Sequence, residues 1–330
     1  MNFQDLKKVE NYQVYLDVAI KRADAKANLL RQSIKLKSVS RTTKSRRIEI
    51  DRIKIINETL CEKLNIIYTG FPSFDNLPEF YNQLIKLFLD YDNIKKSLGS
   101  VNWAERQIKK LSRSATIGIK IEEKPSLITK ISNSAVGRIC SIMKQINKFL
   151  IKLENARKTM KNFPAIKTSV FTIAIAGFPN VGKSTLLKKL TSSDPEIRDY
   201  AFTTKKLNVG YYRKDGKKLQ FIDTPGTFAR FNKMNPIEKQ AFLAMKYCAN
   251  IIVYIFDLSD ATYSLVDQKK LFQQILDLDR DIIIYLSKTD IVDNKKIKEF
   301  ISKFDKKYKV FSKGEDLIAE VFNLEKEIYD

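Results

Sequence analysis

At 330 residues, 44% of them hydrophobic, the chain is long enough for two domains with their own cores and too apolar for a disordered tail. No apolar run reaches the roughly 18 residues of a membrane span, the opening MNFQDLKKVENYQ has no apolar signal core, and Cys61, Cys140 and Cys248 show no CxxC spacing, which argues against a disulfide framework or zinc site; a cytoplasmic protein is expected. The net charge of +22 is uneven: residues 1–165 hold 32 Lys+Arg against 16 Asp+Glu, and residues 166–330 hold 28 against 22.

In chain order, residues 21–47, KRADAKANLLRQSIKLKSVSRTTKSRR, hold ten basic residues and one acidic residue. Small polar residues interleave with the charges, and few apolar side chains remain for a core. The stretch reads as a phosphate-contacting arm, with Lys35, Lys37, Arg41, Lys44, Arg46 and Arg47 as candidate RNA contacts; a solvated helix face is the alternative. If about six of these charges met phosphates, log K would fall with log salt at a slope of roughly −5. The arm lacks the Trp/Phe/Leu face of an interfacial helix, so no membrane partner is expected. GFPSFDNLPEF (70–80) reads as a loop. FYNQLIKLFLDYDNIKKSL (80–98) reads as one amphipathic helix with Phe80, Leu84, Leu87, Phe88, Tyr91 and Ile94 on a shared face. RQIKKLSRSATIGIK (106–120) is a second basic patch. The segment 135–160 is another long helical pattern, ending near NFP (162–164), where Pro164 disfavours helix at the residue before it. Residues 1–165 are therefore expected to form an all-α helical bundle that binds RNA.

Beyond Pro164 short β-rich runs alternate with helical ones. Strands are expected near 171–176, 207–213, 218–222, 251–256, 282–286 and 308–311, and helices near 183–191, 234–247, 265–277, 295–306 and 315–328. That alternation implies an α/β domain over 166–330, a mostly parallel six-stranded sheet with helices on both faces and a ligand site at the carboxyl ends of its strands.

GFPNVGKS (177–184) lies between the run FTIAIA and TLLKKL and matches GxxxxGK[ST] in a strand–loop–helix context. In this reading Gly177, Phe178, Pro179, Asn180, Val181 and Gly182 wrap the phosphates with backbone N–H groups, Lys183 neutralises them, and Ser184 holds Mg²⁺ beside Thr185. A Thr in AFTTK (201–205) closes over the γ-phosphate and Mg²⁺, with Thr204 favoured over Thr203. In DTPG, Asp223 reaches Mg²⁺ through water, Thr224 and Pro225 follow, and the Gly226 N–H faces the γ-phosphate. In SKTD (Ser287, Lys288, Thr289, Asp290), Asp290 accepts from the guanine N1 and N2 edge while Lys288 lies along the base plane, which points to GTP over ATP. Ser287 stands where such loops usually have Asn, and its hydroxyl cannot make the amide's two-sided bridge. Ser312 and Lys313, in VFSKGEDL, are candidate contacts of a shortened last guanine loop.

Together GFPNVGKST, YAFTTK and DTPG resemble the Obg-type branch of translation-factor GTPases. Within that branch YAFTTKKLNVGYY followed by QFIDTPG is similar to the nucleolar GTP-binding protein 1 family. In the first half, FPSFDNLPEFYNQLIKLFLDYDNIKKSLGSVNWA (71–104) and GRICSIMKQINKFLIKLENARKTMKNFPAI (137–166) resemble that family too. The resemblance implies a GTPase that assists assembly of the large ribosomal subunit, its helical half docked on ribosomal RNA, and a monomer away from the ribosome. Eukaryotic members carry a long C-terminal extension; with Asp330 soon after the G domain, a short archaeal-type member is expected.

Obg-type relatives usually carry an apolar residue where other GTPases have a water-positioning Gln, and here Thr227 and Phe228 follow Gly226. Intrinsic hydrolysis is expected to be slow. Asn180 occupies the P-loop position that coordinates a monovalent cation in potassium-stimulated GTPases, so K⁺ is a candidate cofactor beside GTP and Mg²⁺. Lys183, Thr204, Gly226 and Asn180 are the candidate catalytic residues. A second function is kept open: an RNA-binding placeholder in which GTP is mainly structural.

Overall fold

A computed structural model describes residues 3–33, 40–191, 207–214, 216–226, 234–259, 263–304 and 307–329. It divides into two compact units, residues 2–77 with 85–161, and residues 78–84 with 162–330.

The first unit is helical. Its elements are α1 (Tyr12–Ser33), α2 (Arg41–Gly70), α4 (Tyr91–Ile121) and α5 (Pro125–Lys161), with a 3₁₀ turn at Phe74–Asn76; the short α3 (Glu79–Phe88), between α2 and α4 in the chain, is divided between the two units at Leu84. In α4 the buried residues are Ile94, Ser97, Val101, Ala104, Ile108, Ser112, Ala115 and Ile119; in α5 they run from Ile128 through Ser132, Ala135, Ile139 and Met143 to Met160. Steps of three and four keep each set on one stripe, and Ser and Ala among them let the α4 and α5 backbones approach closely. Among the described residues no helix is long and apolar enough to cross a membrane.

The single helix expected over 80–98 is two. Asp90 caps a new start: its carboxylate accepts the Asn93 N–H at 3.0 Å, and this local capture ends α3 and begins α4. The inward face of α3 is Phe80, Tyr81, Leu84 and Ile85, all buried, whereas Leu87 is exposed.

The basic arm is also helical from Arg41 onward. Ser40 caps α2 by accepting the Thr43 N–H at 3.1 Å. Arg46 donates through Nε and Nη2 to the Glu122 carbonyl at 3.0 and 2.8 Å, Thr42 donates to the Glu123 carbonyl at 3.0 Å, and Lys44 reaches the Arg31 carbonyl at 3.5 Å. Arg46 and Lys44 thus bond within the bundle, while Arg41 and Arg47 are exposed. Lys35 and Lys37 lie outside the described residues.

The second unit carries a six-stranded sheet, β1 (Thr172–Ala176), β2 (Asn208–Lys214), β3 (Lys217–Asp223), β4 (Ile251–Asp257), β5 (Asp281–Ser287) and β6 (Val310–Phe311), in the order β2-β3-β1-β4-β5-β6. Among the described residues only the β2–β3 pair is antiparallel. Strands β1 and β4 are buried along their whole length, as strands covered on both faces must be. Helices α6 (Lys183–Leu190), α7 (Pro236–Tyr247), α8 (Leu265–Leu276), α9 (Asn294–Phe304) and α10 (Gly314–Tyr329) follow their strands. One core joins Ile173, Ile175, Leu186, Leu187 and Ile255 to Leu317 and Val321; the other joins Ala174, Tyr254 and Phe256 to Phe272 and Phe300.

A boundary at 165/166 assigns all of residues 78–84 to the bundle, yet they group with the second unit. The reason is Tyr81, fully buried, whose hydroxyl donates to the Ile166 carbonyl at 2.9 Å, with the Pro164 carbonyl at 3.1 Å, and accepts the Ile166 N–H at 3.0 Å.

Candidate nucleotide-binding site

The chain leaves β1 through Gly177 (φ 146°), passes Asn180 (φ 61°) and enters α6 at Gly182 (φ 102°). A Cβ at Gly177 would stand 2.8 Å from the Ile255 carbonyl oxygen, so glycine is required there by contact as well as by φ. Asn tolerates the left-handed region better than most residues, which by itself accounts for Asn180 at its position. Val181 is fully buried, so its side chain belongs to the core and only its backbone is offered to a ligand.

Lys183 opens α6, buried, with Nζ donating to the Phe178 carbonyl at 2.6 Å. Burial lowers its pKa to about 8, against an opposing pull from the Asp223 carboxylate. A phosphate arriving at this ammonium would supply the counter-charge that burial lacks.

Asp223 ends β3 next to β1, its Cα in register with Ile175. The exposed Ser184 hydroxyl donates to Asp223 Oδ2 at 2.7 Å, while Oδ1 is buried without a hydrogen-bond partner among the described residues. An orphaned buried carboxylate oxygen beside a hydroxyl one residue past the phosphate-binding lysine fits a hard divalent cation, so Ser184 and Asp223 are the described residues that would hold Mg²⁺. Thr203, Thr204, Thr227 and Phe228 lie outside the described residues. Thr224 is not available as a ligand contact: its hydroxyl and N–H both bond the Ile175 carbonyl, at 2.8 and 3.2 Å, clasping β3 to β1.

Gly226 follows the half-buried Pro225 and rests directly on the P-loop. A Cβ there would lie 2.2 Å from Pro179 N and 2.6 Å from the Phe178 carbonyl carbon. Two loops from neighbouring strands therefore meet backbone to backbone, where one would hold a phosphate and the other would face it.

The third loop leaves β5. Ser287 is buried, its hydroxyl donating to the Phe256 carbonyl at 3.3 Å; its Cβ meets Gly182 only at van der Waals distance, 3.5 Å from the point a Cβ there would occupy. Lys288 takes φ 53° and starts the 3₁₀ turn Thr289–Ile291, in which Thr289 is half-buried and Asp290 exposed. Ser312 and Lys313 sit exposed just past β6, the strand beside β5. Thr185 is exposed on α6.

Three residues of this region escape motif reading. Asn208 Nδ2 lies 3.4 Å from Asp223 Oδ2, the Tyr263 ring packs on Phe178 at 4.4 Å between centroids, and Asp257 at the end of β4 pairs with Lys288 Nζ at 2.6 Å. Asp257 had a signal: it closes the apolar run IIVYIF as Asp223 closes LQFI.

A family model described as "NOG1 N-terminal helical domain" matches residues 3–167, half of the chain. The chain belongs to the NOG1 family. A second model, "50S ribosome-binding GTPase", matches residues 172–306. An uncharacterized protein of Methanocaldococcus jannaschii is 36% identical over 283 residues, covering 85% of this chain and 78% of its own length. Nucleolar GTP-binding protein 1 of Candida glabrata is 31% identical over 297 residues, covering 88% of this chain but 45% of its own. This NOG1-family chain therefore spans about half the length of that relative. A crystal structure described as that of a "putative nucleolar GTP-binding protein 1" from Plasmodium falciparum aligns at 24% identity and TM-score 0.41, covering 51% of this chain and 93% of that one. The GTPase-type second unit makes GTP the nucleotide that the P-loop and Asp223 are built around, with Mg²⁺ its usual companion.

Proposed function

We propose that this chain binds GTP with Mg²⁺, hydrolyses it slowly by itself, and assists assembly of the large ribosomal subunit with its helical unit docked on ribosomal RNA. The observation that carries the GTPase part is the seating of Gly226 on the Phe178–Pro179 backbone beside the Ser184–Asp223 pair. That arrangement supports a reading in which the residues for phosphate, metal and γ-phosphate belong to one loop cluster at the carboxyl ends of β1 and β3. The ribosomal part is supported by the description of the second family model and by the excess of 16 positive charges in residues 1–165. Exposed Arg41 and Arg47 at the start of α2 and exposed Arg106, Lys109, Lys110 and Arg113 on α4 offer two basic strips for phosphate contact. Off the ribosome the chain acts as a monomer in the cytoplasm.

Slow turnover follows from Thr227, whose hydroxyl is too short to orient water as Gln does. Asn180, exposed in the P-loop, would hold a K⁺ ion whose charge offsets that developing on the transferred phosphoryl group. Equal hydrolysis rates in potassium and sodium would remove that role. The whole reading is tested by co-sedimentation with large-subunit precursors, expected to require GTP and to weaken steeply with salt. The same residue at 227 favours the second reading, a placeholder that uses GTP as a structural ligand. No stimulation of single-turnover hydrolysis by large subunits, together with unimpaired function of Lys183→Ala, would select it.

A further inference from the structure

The guanine loop faces a difficulty that its sequence does not resolve. Its first residue is Ser287, and the hydroxyl is turned to the Phe256 carbonyl, so Ser287 ties the end of β5 to β4 rather than bridging to the P-loop. The next residue, Lys288, occupies the left-handed region at φ 53°, which is unfavourable for a side chain of this kind and must be held by its surroundings. Asp290, which would read the base, is exposed two residues further on.

What holds Lys288 is Asp257. The two strand ends are in register, Asp257 beside Ser287. Asp257 is almost fully buried, yet each of its oxygens is satisfied: Oδ2 accepts Lys288 Nζ at 2.6 Å, and Oδ1 accepts the Ser259 N–H and hydroxyl at 2.9 and 2.5 Å. Its backbone is clamped as well. Gln268, buried on α8, accepts the Asp257 N–H at 2.9 Å and donates to the Asp257 carbonyl at 2.8 Å and the Tyr263 carbonyl at 3.1 Å. Burial alone would raise the carboxyl pKa, but the bonds from Lys288 and Ser259 more than offset this and hold it below the usual carboxylate value. A buried carboxylate with this many donors is built to keep its charge.

We propose that Asp257 is the positioning residue of the guanine loop: by gripping the Lys288 ammonium it fixes the left-handed turn and the lysine stem, and so presents Asp290 to the base. The inference rests on the GTPase reading above and deepens it. An ammonium anchored at its far end leaves the four-carbon stem as a stiff apolar strip, the surface a purine plane packs against. The anchor replaces, from a neighbouring strand, the inter-loop tie that a serine at 287 does not make. Asp257 acts only through Lys288, so its effect is on which base is bound and not on the phosphates, which Lys183 and the P-loop hold.

The test is competition of GDP and ADP against methylanthraniloyl-GDP on the full chain, for the native sequence, Asp257→Asn, Lys288→Met and the double variant, with melting temperatures alongside. The guanine-over-adenine ratio is expected to fall about tenfold in each single variant, through a loss of GDP binding well beyond any loss of ADP binding, and no further in the double variant. A general loosening of the domain would weaken both nucleotides together. Unchanged ratios in the single variants, equal losses for GDP and ADP, or losses that add in the double variant overturn the proposal. If Asp257→Asn does not fold, Lys288→Met decides by the same ratio. Absence of guanine preference in the native protein would instead overturn the GTPase reading on which the proposal stands.

Discussion

Replacing Gly226 by Ala is the sharpest probe of the site. The added carbon would stand 2.2 Å from Pro179 N and 2.6 Å from the Phe178 carbonyl carbon, where ordinary contact begins at 3.4 Å. Both neighbours are backbone atoms of a loop pinned at Gly177 and by the Lys183–Phe178 bond, so no side chain can swing aside. The two loops must separate by about 1.2 Å, the difference between 3.4 and 2.2 Å. A misplacement near 1 Å at a reacting centre costs on the order of 10²-fold in rate. Single-turnover phosphate release from GTP by Gly226→Ala is therefore expected to drop by about 10²-fold, while GDP, which has no γ-phosphate, binds as before. The pairing of those two results matters, because a misfolded domain would lose both. Hydrolysis at the native rate, or loss of GDP and GTP binding together, would refute the picture of Gly226 as a γ-phosphate sensor seated on the P-loop.

The lowered Lys183 pKa makes nucleotide binding pH-dependent: above about pH 8 the free lysine is neutral and must take up a proton to meet phosphate. GDP affinity should fall as pH rises through that value, with proton uptake at pH 8.5 visible as a buffer-dependent heat in titration calorimetry. Tyr81→Phe removes a buried hydroxyl that serves both the N–H and the carbonyl of Ile166, and should lower the stability of the second unit by about 2 kcal/mol in chemical denaturation, with RNA binding unaffected. Arg46→Ala, by losing two bonds to the Glu122 carbonyl, should destabilise the helical unit by about 1–2 kcal/mol and leave the salt slope of RNA binding nearly unchanged. The Arg41→Ala/Arg47→Ala pair should do the opposite, reducing the slope by about 2 with stability intact.

How far this was legible in advance depended on the range of the interaction. Strands 172–176 and 251–257 and helix 265–276 lie within a residue or two of the expected positions, because apolar periodicity and caps such as Ser264 are local signals. The P-loop, DTPG and SKTD stood out as candidate nucleotide motifs because phosphates, Mg²⁺ and guanine each demand a residue type at a set spacing. The break at Asp90 was not, since Asp within an apolar period looks like an outward-facing residue until its carboxylate is seen capturing the Asn93 N–H. Composition likewise made residues 21–47 look like an arm, whereas within it Arg46 and Thr42 donate to the carbonyls of residues 122 and 123, some eighty positions away.

By itself, then, the amino-acid order determined a basic helical half, an α/β half of GTPase type and the choice of Lys183, Ser184, Asp223 and Asp290 as its candidate site residues, all carried by spacings of a few residues. Tertiary structure alone decided that Gly226 touches Pro179, that Thr224 is a strand clasp, that Arg46 belongs to the bundle and that Asp257 grips Lys288. Those pairings join segments far apart in the chain, and only the strand order β2-β3-β1-β4-β5-β6 and the packing of α2 on α4 bring them within hydrogen-bond reach.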